Sequence, residues 1–132
     1  MLFRSRRHFI EVRRRIIKAL HDGGVGIVLG SDSPQLWNAP GFSLVRELGS
    51  YVAAGLTPYE ALETGTRNVA ELLGNAEEAG TIGVGKRADL VLLDGNPLDD
   101  IANVGRRAGV MLGGRWLSRA EIARRLATLA VR

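Results

Sequence analysis

The sequence predicts an α/β fold that passes into a small, mostly β region near residue 77. Three features carry this expectation: an amphipathic helix feeding a continuous apolar run, a string of capped helices, and short strand candidates separated by glycine turns. A helix that opens onto an apolar strand without alternation is half of a repeated α/β unit, because only a strand covered on both faces reads this way.

The first helix is read from Phe9, Val12, Ile16, Ile17 and Leu20, which recur at helical spacing, while Arg13, Arg14, Arg15 and Lys18 fall on other faces. It should end at Gly23-Gly24. Val25-Gly-Ile-Val-Leu-Gly30 then predicts a buried parallel strand. A loop with Pro34, Asn38, Pro40 and Gly41 precedes a helix that carries Leu44, Val45, Leu48 and Val52 inward and stops at Gly55.

Thr57-Pro-Tyr-Glu60 has a capping hydroxyl, a proline at the first helical position and a glutamate at the third, which together satisfy the free amides of a helix start. Asn68-Val-Ala-Glu71 has similar spacing, with Gly74 to close its helix. Beyond Gly80, strands are expected at Thr81-Ile82, Asp89–Leu93, Gly109–Leu112 and Arg115–Leu117. Gly113-Gly114 suits a two-residue hairpin loop. Ser118-Arg-Ala-Glu121 opens a last helix with Ile122, Leu126 and Leu129 on one face.

The organisation so read is residues 1–76, 77–118 and 119–132. In 132 residues with 45% hydrophobic and 5% aromatic content, the core must be mainly aliphatic. With no cysteine, disulfides, thiolate zinc sites and cysteine nucleophiles are excluded, and a cytoplasmic location is expected. No apolar run approaches the ~20 residues of a membrane span. The Arg-rich opening has some likeness to a mitochondrial transit peptide, but Glu11 and the smooth run into a helix oppose that reading.

The net charge of +4 is unevenly spread: residues 1–18 and 106–132 each hold seven basic groups and one acid, and residues 19–105 hold four basic and twelve acidic groups. Basic ends can bind nucleic acid or anionic lipid by counterion release, although the solvated outer faces of helices produce the same counts and are favoured here.

Among motifs, Gly30-Ser-Asp-Ser-Pro34 places a carboxylate directly after the predicted strand. At the end of a parallel strand, Asp32 can ligate a divalent metal or take a proton from metal-bound water. Alternatively, it forms an Asx turn before Pro34. Gly80-Thr-Ile-Gly-Val-Gly-Lys86 matches the first seven positions of a phosphate-binding loop, but Arg87 replaces the metal-binding hydroxyl and a strand follows where a helix should. Lys86 therefore reads as a solvated turn residue. Asp94-Gly-Asn-Pro97 and Asp99-Asp100 lack the ligand spacing of a calcium loop and read as turns, and Glu63, Glu77 and Glu78 as solvated helix-face charges.

Gly30-Ser-Asp-Ser-Pro34, Arg46-Glu-Leu48, Ala54-Gly-Leu-Thr-Pro-Tyr-Glu-Ala-Leu62, Thr66-Arg-Asn68, Glu71-Leu-Leu-Gly74 and Gly80-Thr-Ile-Gly-Val-Gly-Lys-Arg-Ala-Asp-Leu-Val-Leu-Leu-Asp-Gly-Asn-Pro97 occur in one order. Together they resemble the C-terminal portion of the amidohydrolase superfamily, in particular its imidazolonepropionase-like and prolidase-like members, from about residue 9 to Leu117. The resemblance implies the last α/β unit of a (β/α)8 (TIM) barrel followed by the returning strands of a composite β-sandwich. It makes Val25–Gly30 the eighth barrel strand, Asp32 a metal ligand and proton shuttle, and Gly85-Lys-Arg-Ala-Asp-Leu90 a structural signature.

It further implies hydrolysis of C–N bonds in a small-molecule substrate, with zinc or another divalent metal as cofactor. The histidine and acidic ligands that the family draws from its earlier strands have no counterpart here. The chain alone is therefore expected to bind no metal and to be inactive unless a complementing N-terminal barrel chain, or a homo-oligomer, completes it. His8 and His21 read as surface residues. Many relatives have histidine where this chain has Val45. Trp37, in the loop after Asp32, either faces substrate or covers the strand ends.

Overall fold

The computed structural model describes residues 2–35 and 38–129. Helix α1 (Leu2–Asp22) ends as the glycine pair predicts. Gly24 has φ 76°, its N–H donates to His21 O at 2.9 Å, and Val25 N–H donates to Leu20 O at 3.0 Å, the paired closure of a Schellman cap. Helix α2 (Phe42–Ala54) ends by the same device at Gly55, whose φ of 110° a side chain would strain. The next residue, Leu56, is delivered into the core at 3% exposure.

Helix α3 (Pro58–Thr64) carries the full capping box: Thr57 Oγ1 accepts from Glu60 N–H at 3.2 Å, and Glu60 Oε2 accepts from Thr57 N–H at 2.7 Å. The Thr57 N–H, followed by the Thr57 hydroxyl, which also donates to Oε2 at 2.9 Å, holds the Glu60 carboxyl below its ordinary range. Helix α4 (Arg67–Leu72) departs from expectation, because Thr66 occupies its cap position and Asn68 lies within the helix. The Asn68 amide instead donates to Ile27 O at 2.9 Å, a tertiary bond in place of a local cap.

The predicted strand Val25–Gly30 does not pair as a strand among the described residues. A strand needs another strand along at least one edge to form a ladder, and the segment bonds instead to helices. Leu29 N–H donates to Thr64 O at 2.8 Å, and Asn68 takes Ile27 O. On alternate residues, Gly30 N–H donates to Glu47 Oε1 at 3.3 Å and Val28 O faces the Tyr51 hydroxyl at 3.2 Å. This alternation of partners is that of an extended chain. Ile27 and Leu29, on one face, are half-buried, whereas Gly26, Val28 and Gly30, on the other, are exposed, so one face is covered rather than two.

The core is compact: Leu48, Tyr51, Leu56, Ala61 and Ile101, with Ile17, Ile27, Leu29, Val52, Leu62 and Val104 packed against it. On α2 the inward face therefore includes Tyr51 and leaves Leu44 exposed, contrary to the pattern read from apolar residues alone. Ile101 belongs to a 3-10 helix (Ile101–Gly105) that Asp100 caps through Ala102 N–H at 2.9 Å, and it ties the strand region to the helices.

The sheet contains β1 (Leu90–Leu93), β2 (Arg107–Leu112) and β3 (Arg115–Ser118), antiparallel in the order β1-β2-β3. Gly113 and Gly114 turn the β2–β3 hairpin with φ 55° and 80°, as a primed turn requires. Buried Gly109 lies against the Trp116 ring, where a Cβ would collide. Thr81-Ile82 is not a strand, and Ile82 is 88% exposed because no described strand lies beside it. Helix α5 (Arg119–Leu129) starts with Ser118 Oγ accepting from Glu121 N–H at 3.3 Å. Only Ile122 of its expected apolar face is half-buried; Leu126 and Leu129 stand exposed, since the sheet is too short to cover the whole helix.

The Gly85–Leu90 signature acts as a brace. Lys86, read from sequence as solvated, is half-buried, and its Nζ donates to Ala76 O and Thr81 Oγ1, both at 2.6 Å. Asp89 Oδ1 accepts from Gly113 N–H at 2.7 Å, which clamps the hairpin turn to the start of β1. That bond, followed by Arg87, holds the Asp89 carboxyl below its ordinary range.

Two outcomes are expected. Thr57→Ala removes one half of the capping box and should lower unfolding stability by about 1 kcal/mol in denaturant titration. Because the folded pKa of Asp89 is depressed, its stabilisation is present above the ordinary aspartate range and is lost as pH falls through the lowered value. The difference in melting temperature between the parent and Asp89→Asn should accordingly be largest near neutral pH and shrink on acidification.

Candidate functional site

The site candidate is the end of the Val25–Gly30 segment, where the chain leaves the helices and turns. Asp32 adopts φ 54°, a left-handed conformation in which aspartate is enriched among residues with a Cβ. The loop that follows is closed by Asn38 N–H donating to Gln35 O at 2.9 Å and by the Asn38 amide donating to Ser31 O at 3.0 Å. Ser31 and Ser33 hydroxyls lie 2.9 Å apart.

The Asp32 side chain is exposed, and its Oδ2 accepts from the Gln35 amide. Its bond is thus to a side chain three residues on. One carboxylate oxygen, Oδ1, has no recorded bond among the described residues. Trp37 lies outside the described residues, so its expected role at this loop gains no geometry.

Behind Asp32 stands a pair that the sequence reading did not single out. Glu47 Oε1 accepts from Gly30 N–H and, at 2.7 Å, from the Tyr51 hydroxyl. Burial, then the adjacent Glu47 carboxylate, raises the Tyr51 phenol above its ordinary range, so it remains a neutral donor across the physiological interval. Glu47 Oε2 is buried and without a partner among the described residues. Glu47 and Tyr51 are four apart on α2, a spacing visible in the sequence, but only the packing of α2 on the segment shows what they meet.

The other titratable groups lie elsewhere. His21 precedes the segment that Asp32 follows, so its length of about 20 Å separates them along the chain. Its Nε2 is 3.7 Å from Glu60 and its Nδ1 is 3.5 Å from Asp22. His8 is exposed on α1. Glu63, expected to be solvated, is a half-buried residue that pairs with Arg67 at 2.8 Å. Basic side chains of both chain ends are also engaged: Lys18 with Asp22, Arg115 and Arg125 with Glu121, and Arg119 with Asp94. Among the described residues, no three His, Asp or Glu side chains converge as a metal site would require. Nor is any described helix long and apolar enough to cross a membrane.

The chain is 34% identical over 110 residues to an imidazolonepropionase of Maricaulis maris (strain MCS10), covering 80% of this chain and 27% of that protein. It is 46% identical over 54 residues to a 5′-deoxyadenosine deaminase of Methanobrevibacter smithii, covering 41% of this chain and 12% of that protein. A crystal structure of an Xaa-Pro dipeptidase with methionine in its active site superposes with a TM-score of 0.73 at 27% identity, over 80% of this chain and 25% of that one.

The chain thus spans about a quarter of the length of that imidazolonepropionase and of that dipeptidase. Its mixed helix and sheet architecture is the one found in the matching part of the solved structures. The profile of the amidohydrolase family matches residues 2–117, almost the whole of the described chain, and on that match the chain belongs to the amidohydrolase family.

Proposed function

We propose that this chain contributes the carboxylate of Asp32, at the end of an extended α/β segment, to a site that hydrolyses C–N bonds of small molecules. The supporting observation is the exposed Asp32 side chain at the turn after Val25–Gly30, within a segment similar to hydrolytic relatives. An Xaa-Pro dipeptidase cleaves an amide and a deaminase releases an amino group, so both named activities break a C–N bond.

The chemistry available to Asp32 is proton transfer. An exposed carboxylate whose Oδ2 is held by Gln35, and whose Oδ1 has no partner among the described residues, can accept a proton from an attacking water and return it to the departing nitrogen. By themselves, however, the described residues do not fit the divalent metal that family membership implies. A catalytic zinc takes three protein ligands and a water, whereas here a single carboxylate is available and no cluster of ligands surrounds it.

This reading calls for partners. A complementing chain carrying the remaining barrel strands would supply the missing ligands and substrate walls, and would cover Val25, Leu72, Leu73, Ile82 and Val84, all more than half exposed. A second copy of the chain is the other occupant of the same faces. The absence of cysteine supports a reducing, cytoplasmic setting.

The test is a chimera in which this chain replaces the matched quarter of the solved Xaa-Pro dipeptidase. Metal-loaded chimera is expected to hydrolyse Xaa-Pro dipeptides, and Asp32→Asn to lower kcat by about 100-fold or more. A folded, metal-loaded chimera without turnover, or an Asp32→Asn variant as active as its parent, would sink the proposal.

A further inference from the structure

We propose that Glu47 is a positioning residue for Asp32, acting through a single backbone hydrogen bond to Gly30. The inference rests on the reading of Asp32 as the carboxylate of the site, and deepens it by naming what holds that carboxylate in place.

Helix α2 is anchored in the core by Leu48 and Tyr51, 5% and 7% exposed. From that base it reaches the extended segment at two peptide groups on the same edge, two residues apart. The Tyr51 hydroxyl has one proton and two acceptors, Glu47 Oε1 at 2.7 Å and Val28 O at 3.2 Å. Glu47 Oε1 in turn takes Gly30 N–H at 3.3 Å. The opposite edge is held further back, at Ile27 O by Asn68 and at Leu29 N–H by Thr64 O.

Gly30 is therefore the last point at which a helix grips the segment, and Asp32 lies two residues beyond it. After Gly30 the recorded bonds belong to the loop itself: Asn38 to Ser31 O, and Gln35 to the Asp32 carboxylate. The segment has no paired strand to fix its register among the described residues. Gly30 itself is exposed and has no side chain to pack. The Glu47 bond thus sets where the segment stops and where the turn into Asp32 begins. A catalytic group must be held within about 0.5 Å of its working position, so freeing this anchor moves the carboxylate by a distance that matters.

Glu47 contributes as an acceptor, which separates the proposal from a role for its charge. Gln at this position keeps Oε1 and places its amide nitrogen where the buried Oε2 now sits; Ala removes the acceptor altogether. A purely structural partner of Tyr51 would affect α2 and the core as a whole. A positioning residue affects Gly30 first.

The experiment is amide hydrogen exchange by NMR on the whole chain, run for the parent, Glu47→Ala and Glu47→Gln, with kinetics in the dipeptidase chimera alongside. In Glu47→Ala, Gly30 exchange should rise about tenfold or more, while Leu29 and the α2 amides change less than about threefold. Glu47→Gln should hold Gly30 within about threefold of the parent. In the chimera, Glu47→Ala should lower kcat by about tenfold or more at nearly constant KM, with Glu47→Gln restoring most of it. An unmoved Gly30 amide in Glu47→Ala overturns the proposal, as does a uniform rise across α2 or a Gln variant as impaired as Ala. An inactive parent chimera would count against Asp32 as the hydrolytic carboxylate, and the Gly30 exchange rates would still decide the role of Glu47.

Discussion

The peptide groups of Val25–Gly30 have no neighbouring strand among the described residues, and the helical part is arranged around their need for hydrogen-bond partners. A buried or half-buried backbone group without a partner costs roughly as much as a full hydrogen bond. Here the C-terminal end of α3 offers Thr64 O to one edge, and α4 turns Asn68 toward the same edge instead of using it as a cap. Helix α2 serves the other edge with Tyr51 and Glu47. The three helices are thus bound to one segment by their polar groups, and α2 and α3 also to one another by Leu48, Leu56 and Ala61.

The strand region joins this arrangement at few points, each of which does a separate job. Ile101 enters the apolar core and supplies the packing. Lys86 ties the approach to β1 back to residues 76 and 81, and Asp89 ties β1 to the hairpin turn. The family signature around Gly85–Leu90 is accordingly explained by loop architecture, which requires a long cation and a short carboxylate at fixed separation. Its likeness to a phosphate-binding loop comes from the glycines that the turns need.

Exposure and length agree on the functional side. The chain matches about a quarter of the length of that imidazolonepropionase, large apolar side chains such as Ile82 and Val84 stand in solvent, and no group of potential ligands gathers around Asp32 among the described residues. On the proposed reading, these are features of one edge of a larger site. The carboxylate is held by its loop and, through Gly30, by α2, while the faces around it remain free to meet other protein.

Much of this was legible in the amino-acid order. Helix ends, capping boxes and the hairpin turn are local contests between side chain and backbone, so Gly23-Gly24, Gly55, Thr57–Glu60 and Gly113-Gly114 could be read within a few residues. The position of Asp32 after an apolar run, and the ordered motifs around it, likewise came from sequence. What Val25–Gly30 would pair with did not, because a strand's partners are set by whatever lies beside it in space. For the same reason Asn68 as a brace, Lys86 as a tie and Glu47 with Tyr51 as the grip on Gly30 emerged only in the folded chain: each bond joins residues that sequence spacing alone does not bring together, and which of several acceptors a polar side chain meets is decided by packing.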